Sequence, residues 1–408
     1  MNTLFTRRSF LAYLSAFSLQ HALPEEAAAE KSRVLAQGTD SDTDNNLTHY
    51  VNVFVGTGGH GHTYPGATVP FGAVQLSPDT NNIGWDWCSG YHYSDSSIMG
   101  FSHTHLSGTG VGDMLDVLVM PGTGAVKLNS GSRDQPESGY RSRFSHADEK
   151  AEPGFYSVLL RDPKVHAELT ATQRAGFHRY TFLGNDPRHV IVDLSHRYND
   201  APGGLLSSEM HIVDSYTVTG GRRVARWAAG REIYFAMRFA QPFTQAQLYS
   251  NDEPLNRENA RTDGTSLKCI LHFGTPVDNA PLLVKVGISG INAEGALRNL
   301  DAEIADWDFE RVRKAARSSW QDELSRIRID TTDAKTREIF YTSLYHMMLS
   351  PTLFDDVDGR YRVCVGKHTF LLAIATTTAP SLCGIPSARS IPPSPSSSGR
   401  GPAIWSTA

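Results

Sequence analysis

The chain has 408 residues, 40% of them hydrophobic, 10% aromatic and 20% charged, with a formal net charge of -5. That length allows two or three domains and a sizeable core. The balance is mildly acidic, which gives no basic surface for nucleic acid, and no apolar run of about 18 residues offers a membrane span.

The N-terminus reads as an export signal over residues 1–29. Arg7 and Arg8 precede an apolar stretch from Phe10 to about Leu19, and small residues Ala27 to Ala29 follow. Arg-Arg-Ser-Phe-Leu suits a twin-arginine route, which predicts a periplasmic or secreted protein. A frayed amphipathic helix is the alternative. A polar linker, "GTDSDTDNNLTHY", lies in the segment 30–47 and just beyond it. Export permits disulfides, but Cys88, Cys269, Cys364 and Cys383 are dispersed and form no CxxC.

From 48 to 295 the pattern is of short β-rich runs separated by turn residues. "GFYSVLLRD", "VHAELTATQRAGFHRYTF", "RHVIVDLSH", "EIYFAMRF" and "PLLVKVGIS" are examples, many alternating. The expected fold class is mainly β, a large antiparallel β-sandwich. Residues 296–330 then show helical periodicity and i,i+4 charge pairs, a helical linker with Leu297, Leu300, Ile304, Trp307 and Phe309 on its apolar faces. A further helix is predicted within 331–362. Asp333 caps it, Pro351 ends it, and Ile339, Phe340, Ser343, Leu344 and Met347 face a core.

Beyond Arg362 the composition breaks. Residues 363–408 become rich in Ser, Pro, Thr and Ala without periodicity, which reads as a disordered tail. The genetic code offers a sharper reading. If the third base of each codon joins the next two, Cys383 to Ala388 can encode Trp-Asp-Thr-Phe-Arg. The same offset, extended back through Thr376, permits Asp-Tyr-Tyr-Ser-Ala-Phe-Ser-Leu, a helix-compatible peptide. A frameshift, in the gene or in its sequencing, is therefore expected between Arg362 and Ala375.

The chemistry concentrates in residues 52–113. Trp85 and Trp87 flank Asp86, with Cys88 following. An aromatic face stacks on the apolar face of a sugar while carboxylates, imidazoles and backbone amides bond its hydroxyls. A Trp pair buried between sheets is the competing reading. His60/His62 and His103/His105 are HxH pairs, whose members point the same way on an extended chain, as a strand metal site needs. No third ligand is evident, so loop histidines bonded to carbonyls or touching substrate compete with metal ligation. "FDDVDGRYR" puts Asp355, Asp356 and Asp358 before a glycine. It could offer oxygens to Ca2+ but lacks a full EF-hand loop, and a capped turn competes. The glycine-rich runs carry no phosphate-loop ending, and Ser89 and Ser107 sit in no nucleophile elbow.

"VNVFVGTGGHGHTYPGATVPFGAVQLSPDT", "WCSGYHYSDSSIMGFSHTHLSGTG" and "FYTSLYHMMLSPTLFDDVDGRYR" together resemble bacterial glycoside hydrolase family 92, the exo-acting α-mannosidases, from about Tyr50 to Arg362. The resemblance implies a β-sandwich, a helical linker and an (α/α)6 barrel of which this chain holds the first helix. It implies hydrolysis of terminal α-mannosides, α-1,2-linked or related, in mannose-containing glycans, with inversion and with Ca2+ as cofactor. Trp-Asp-Thr-Phe-Arg in the tail's other frame is also a family block. His60, His62, Trp85, Asp86, Trp87, Cys88, His103 and His105 then become candidate substrate-binding residues. The family's acid Glu and base Asp belong to the barrel, and no residue here matches them. The chain is therefore expected to be truncated and inactive alone, with most Ca2+ ligands elsewhere. Two rival readings are a secreted carbohydrate-binding sandwich without catalysis and an unrelated HxH metal enzyme.

Overall fold

A computed structural model describes residues 46–199, 204–228, 230–263, 266–274, 280–365, 368–373 and 378–379. The expected leader at 1–29, nearly all of the polar linker and the tail beyond 379 lie outside the described residues.

Two antiparallel sheets dominate. One has seven strands in the order Ser77–Asp79, Gly100–Ser102, Leu118–Thr123, Arg188–Asp193, Leu267–Phe273, Phe243–Ser250 and Glu253–Leu255. The other has nine, in the order Asn259–Asp263, Leu205–Asp214, Thr217–Val224, Arg231–Phe239, Leu282–Ser289, Ala175–Phe182, Val165–Ala171, Phe155–Leu160 and Glu149–Glu152. Their inner faces share one core, in which Val119, Val190, Val192 and Ile270 of the first sheet join Leu169, Tyr180, Phe235 and Val284 of the second. The alternation seen in the sequence is the cause. Val165, Ala167 and Leu169 are buried while His166 and Glu168 between them are half-buried, since side chains of period two leave one face for the core. Each fully buried aliphatic contributes about 1.5–3 kcal/mol.

The helical stretch divides in two. Helix α1, Ala293–Glu303, starts at Asn292, whose side chain accepts from the Gly295 amide. Helix α2, Phe309–Leu324, starts at Asp308, which accepts from the Arg311 amide. That second cap interrupts the expected continuous helix. Leu300, Ile304 and Phe309 are buried, as their spacing predicts, while Leu297 and Trp307 are only half-buried.

Helix α3, Ala334–Met347, is capped by Asp333 as expected. Its buried face differs from the expected one. Tyr341, Thr342, Leu344 and Tyr345 are buried, whereas Ile339 is 57% and Met347 70% exposed. Apolar residues surround this helix, so period alone does not choose a side; the neighbours do. Tyr345 packs 4.4 Å from the Trp320 ring, and Tyr341 stacks on Tyr50. Trp320 is fully buried, and its indole N–H donates to the Thr68 carbonyl at 2.7 Å. The Phe71 amide donates to the Met348 carbonyl and the Leu353 amide to the Phe71 carbonyl. These bonds tie the glycine-rich loop of residues 56–80 to the helical segment. Strand pairing continues through Arg360–Val365 with His368–Ala373, past the Arg362 at which the structureless tail was expected to begin.

Candidate sugar-binding site

The site starts from a tightly folded loop. A side chain at Gly61 would sit 2.1 Å from the Gly56 carbonyl oxygen, so only glycine lets the loop close there. The closure places His60 and His62 on either side of it. Gly84, with φ of 99°, then turns the chain into the short 3-10 turn Trp85–Trp87.

Trp85 is 53% exposed, yet fixed. Its indole N–H donates to the Gly110 carbonyl at 2.9 Å, and the His62 ring meets it edge-on at 4.4 Å. Asp86 reaches His60 Nδ1 at 2.6 Å and stands 4.0 Å from His62 Nε2. His62 is 5% exposed, and its Nε2 has no hydrogen-bond partner among the described residues. A buried imidazole nitrogen left unpaired costs free energy, and here it lies beside an open aromatic face and a half-exposed carboxylate. The arrangement can stack a sugar ring on Trp85 and bond its hydroxyls through Asp86 and His62.

The other candidates separate from this cluster. Trp87 turns away, donating to Asp95 Oδ2 at 2.7 Å beneath the Arg133 guanidinium. Cys88 is 1% exposed, packed with Leu115 and Tyr198. His103 and His105 are corrected from site residues to interior ones. His103 Nδ1 bonds the Val117 carbonyl at 2.7 Å and its Nε2 meets His178 Nε2 at 3.0 Å. Tyr180 bonds the far side of His178. The sense of the chain is then fixed: Tyr180 O–H donates to His178, His178 N–H to His103, and His103 N–H to the carbonyl. Burial lowers the His103 pKa to about 4 and holds that of His178 well below its usual value.

His105 bonds the Gln75 carbonyl at 2.7 Å and Asp79 at 2.8 Å, while His196 takes the other Asp79 oxygen at 2.7 Å. Burial alone would raise the Asp79 pKa, but the two histidines outweigh it and hold the carboxyl well below its usual range. Sequence reading missed this group. Asp79 and His196 are 117 residues apart and no local spacing links them.

Three further sandwich carboxylates, Asp95, Asp113 and Asp116, are committed to structure. Asp95 pairs with Arg133, and Asp116 with Arg222 and Arg231. Asp113 accepts from the Ala228 amide. The Asp355–Asp358 turn does not fit Ca2+. Asp355 pairs with Arg174 at 2.9 Å, Asp356 accepts from Ser289 and Asn299, and Asp358 pairs with Arg298 and Arg360. Gly359, with φ of 79°, closes it as a capped turn. Among the described residues no group of three or more His, Cys, Asp or Glu side chains is arranged to hold a metal ion.

Two packed antiparallel sheets are thus followed by capped helices, with an aromatic, imidazole and carboxylate cluster at a loop tied to those helices. Residues 50–289 match the glycosyl hydrolase family 92 N-terminal domain and residues 295–373 the catalytic domain of the same family. The chain belongs to glycosyl hydrolase family 92. It is similar to the family GH92 α-mannosidase BT3965 of Bacteroides thetaiotaomicron, at 37% identity and a TM-score of 0.76, over 81% of this chain and 44% of that one. That enzyme has also been seen in complex with mannoimidazole. The inverting mannosidase BT2199 of the same species is 27% identical, with a TM-score of 0.67 over 81% of this chain and 43% of that one. An uncharacterized secreted glycosidase of Arthroderma benhamiae is 26% identical over 78% of this chain and 43% of its own length. The chain thus spans less than half the length of the relatives it matches. No helix among the described residues is long and apolar enough to cross a membrane.

Proposed function

We propose that this chain is the sandwich and the start of the helical domain of an exported inverting α-mannosidase acting on terminal α-mannosides of glycans. The observation that carries the reading is the unpartnered, buried His62 Nε2 beside exposed Trp85 and half-exposed Asp86. Likeness to an α-mannosidase at 37% identity supports mannose as the sugar, and the relatives described as inverting and as secreted support inversion and export.

In this reading Trp85 takes the C–H face of the terminal mannose. His62 and Asp86 take its hydroxyls, and His60 holds Asp86 in place through their 2.6 Å contact. Inversion needs one carboxylic acid for the leaving oxygen and one carboxylate for the water, roughly 6.5–9.5 Å apart. Asp95, Asp113 and Asp116 are engaged as described, and the family resemblance puts the acid and base in the helical barrel. Ca2+ dependence enters the proposal through the family alone, and no step here passes through the ion.

The test is NMR of α-1,2-mannobiose incubated with this chain and with the product of a gene whose frame is restored between codons 362 and 375. The restored protein is expected to release β-mannose first, and the present chain none. Comparable turnover by the present chain would place the acid and base within it. Sugar binding without turnover by the restored protein would favour a non-catalytic carbohydrate-binding protein.

A further inference from the structure

A second cavity, of about 740 Å³, opens beside Trp87. None of His60, His62, Trp85 or Asp86 lines it. Its size falls within the roughly 300–1,000 Å³ of small-molecule sites. Its charge is uneven: Arg133, Arg141, Arg197 and Lys268 line it together with one carboxylate, Asp193.

Most of these charges are already engaged. Arg133 pairs with Asp95, and Lys268 with Asp252. Asp193 accepts from the Tyr140 hydroxyl at 2.9 Å and from the Ser195 hydroxyl and amide. Arg141 is different. It is 3% exposed, donates from Nη2 to the Thr80 carbonyl at 2.8 Å, and has no carboxylate in ion-pairing contact among the described residues. Its Nε is buried without a partner, and so is the Nε of Arg197. Asp95 lies near Arg141 and Asp193 near Arg197, which also donates to the Ser195 carbonyl, yet each guanidinium keeps a buried, unpaired Nε at a cavity where cations outnumber carboxylates. Guanidinium groups left with spare N–H donors suit a tetrahedral oxyanion.

We propose that this cavity is a binding site for a phosphate-class oxyanion, free or carried on a sugar, held by Arg141 and Arg197. Burial pushes both guanidinium pKa values down, and arginine keeps its charge in proteins. Trp87, at the cavity wall, gives a sugar carrier an apolar surface beside the anion.

The test is calorimetric titration of the full chain with inorganic phosphate, with a hexose 6-phosphate and with the free hexose, at fixed ionic strength. Both phosphates are expected to bind and the free hexose at least tenfold more weakly. Arg197→Gln, at a half-buried position, is expected to weaken phosphate binding tenfold or more, and Arg141→Gln further. If Arg141→Gln does not fold, Arg197→Gln decides. A hexose phosphate tighter than the ion assigns the carrier to the Trp87 wall, and equal affinities assign the bare ion; both support the site. No binding of either phosphate at millimolar concentration overturns it, as does binding unchanged in Arg197→Gln. The readout needs no hydrolysis, so its failure leaves the mannosidase reading untouched.

Discussion

His60-Gly61-His62 and His103-Thr104-His105 share one spacing and have opposite fates. The first pair lies at a loop closed by Gly61, with His60 exposed beside Asp86. The second sits between the sheets, where His103 belongs to a neutral hydrogen-bonded chain and His105 to a buried carboxylate bridge. The neighbouring tryptophans divide the same way, Trp85 toward an open face and Trp87 toward Asp95 and Arg133. Residue type and spacing therefore define which chemistry is possible, and the environment decides whether it serves stability or binding.

The largest expected effect tests the buried pair against the open one. His105→Ala removes one of two partners of a fully buried Asp79, and should cost about 3–5 kcal/mol of stability. His60→Ala, at an exposed ion pair, should stay within about 0.5 kcal/mol. Urea unfolding of both variants measures the difference, and equal midpoints would erase the distinction drawn here.

The next effect is in pH. His103 is depressed to about 4 in the folded chain from its ordinary value near 6.5. Between those values the unfolded chain binds the extra proton, so stability rises with pH. The contribution is complete above about pH 6.5 and is lost as pH falls toward 4, amounting to about 3 kcal/mol for this fully buried group. His103→Asn, which can keep the bond to the Val117 carbonyl, should flatten that part of the stability profile. His60→Ala should leave it steep. A slope unchanged in His103→Asn would assign the titration to other groups.

The smallest effect separates the tryptophans. In the frame-restored protein, Trp85→Ala should lower kcat/KM by about 1–3 kcal/mol of transition-state binding, the scale of a lost stacking surface. Trp87→Ala should lower it less, because its indole holds Asp95 instead of facing the His62 cluster. The reverse order in steady-state kinetics would move the sugar to the Trp87 side.

The sandwich was legible because alternation records a buried face directly, as in Val165, Ala167 and Leu169. The caps were legible at Asp333, where a side-chain acceptor must precede a helix. The α3 face was not, because its apolar residues point several ways and packing against neighbours such as Trp320, Tyr50 and Tyr64 chooses among them. Within the candidate site, the grouping of Trp85, Asp86, His60 and His62 agrees with their closeness in the sequence. Asp79 and His196 were invisible, since the end of one strand and two loops distant in sequence bring the carboxylate between its two histidines. The Asp355–Asp358 segment offered a cation or a capped turn, and the structure takes the turn, pairing its carboxylates with Arg174, Asn299, Ser289, Arg298 and Arg360.

The bonds from Phe71 to Met348 and from Leu353 to Phe71 have a consequence for motion. The end of α3 and the glycine-rich loop share amide protection, so neither can open to solvent exchange by itself. Trp320, anchored on Thr68, extends this cooperative unit into α2. The loop that carries His60 and His62 is thereby coupled to the helices instead of fraying with its own glycines. Its breathing follows the local unfolding of the helical segment, so whatever steadies those helices also steadies the pocket wall.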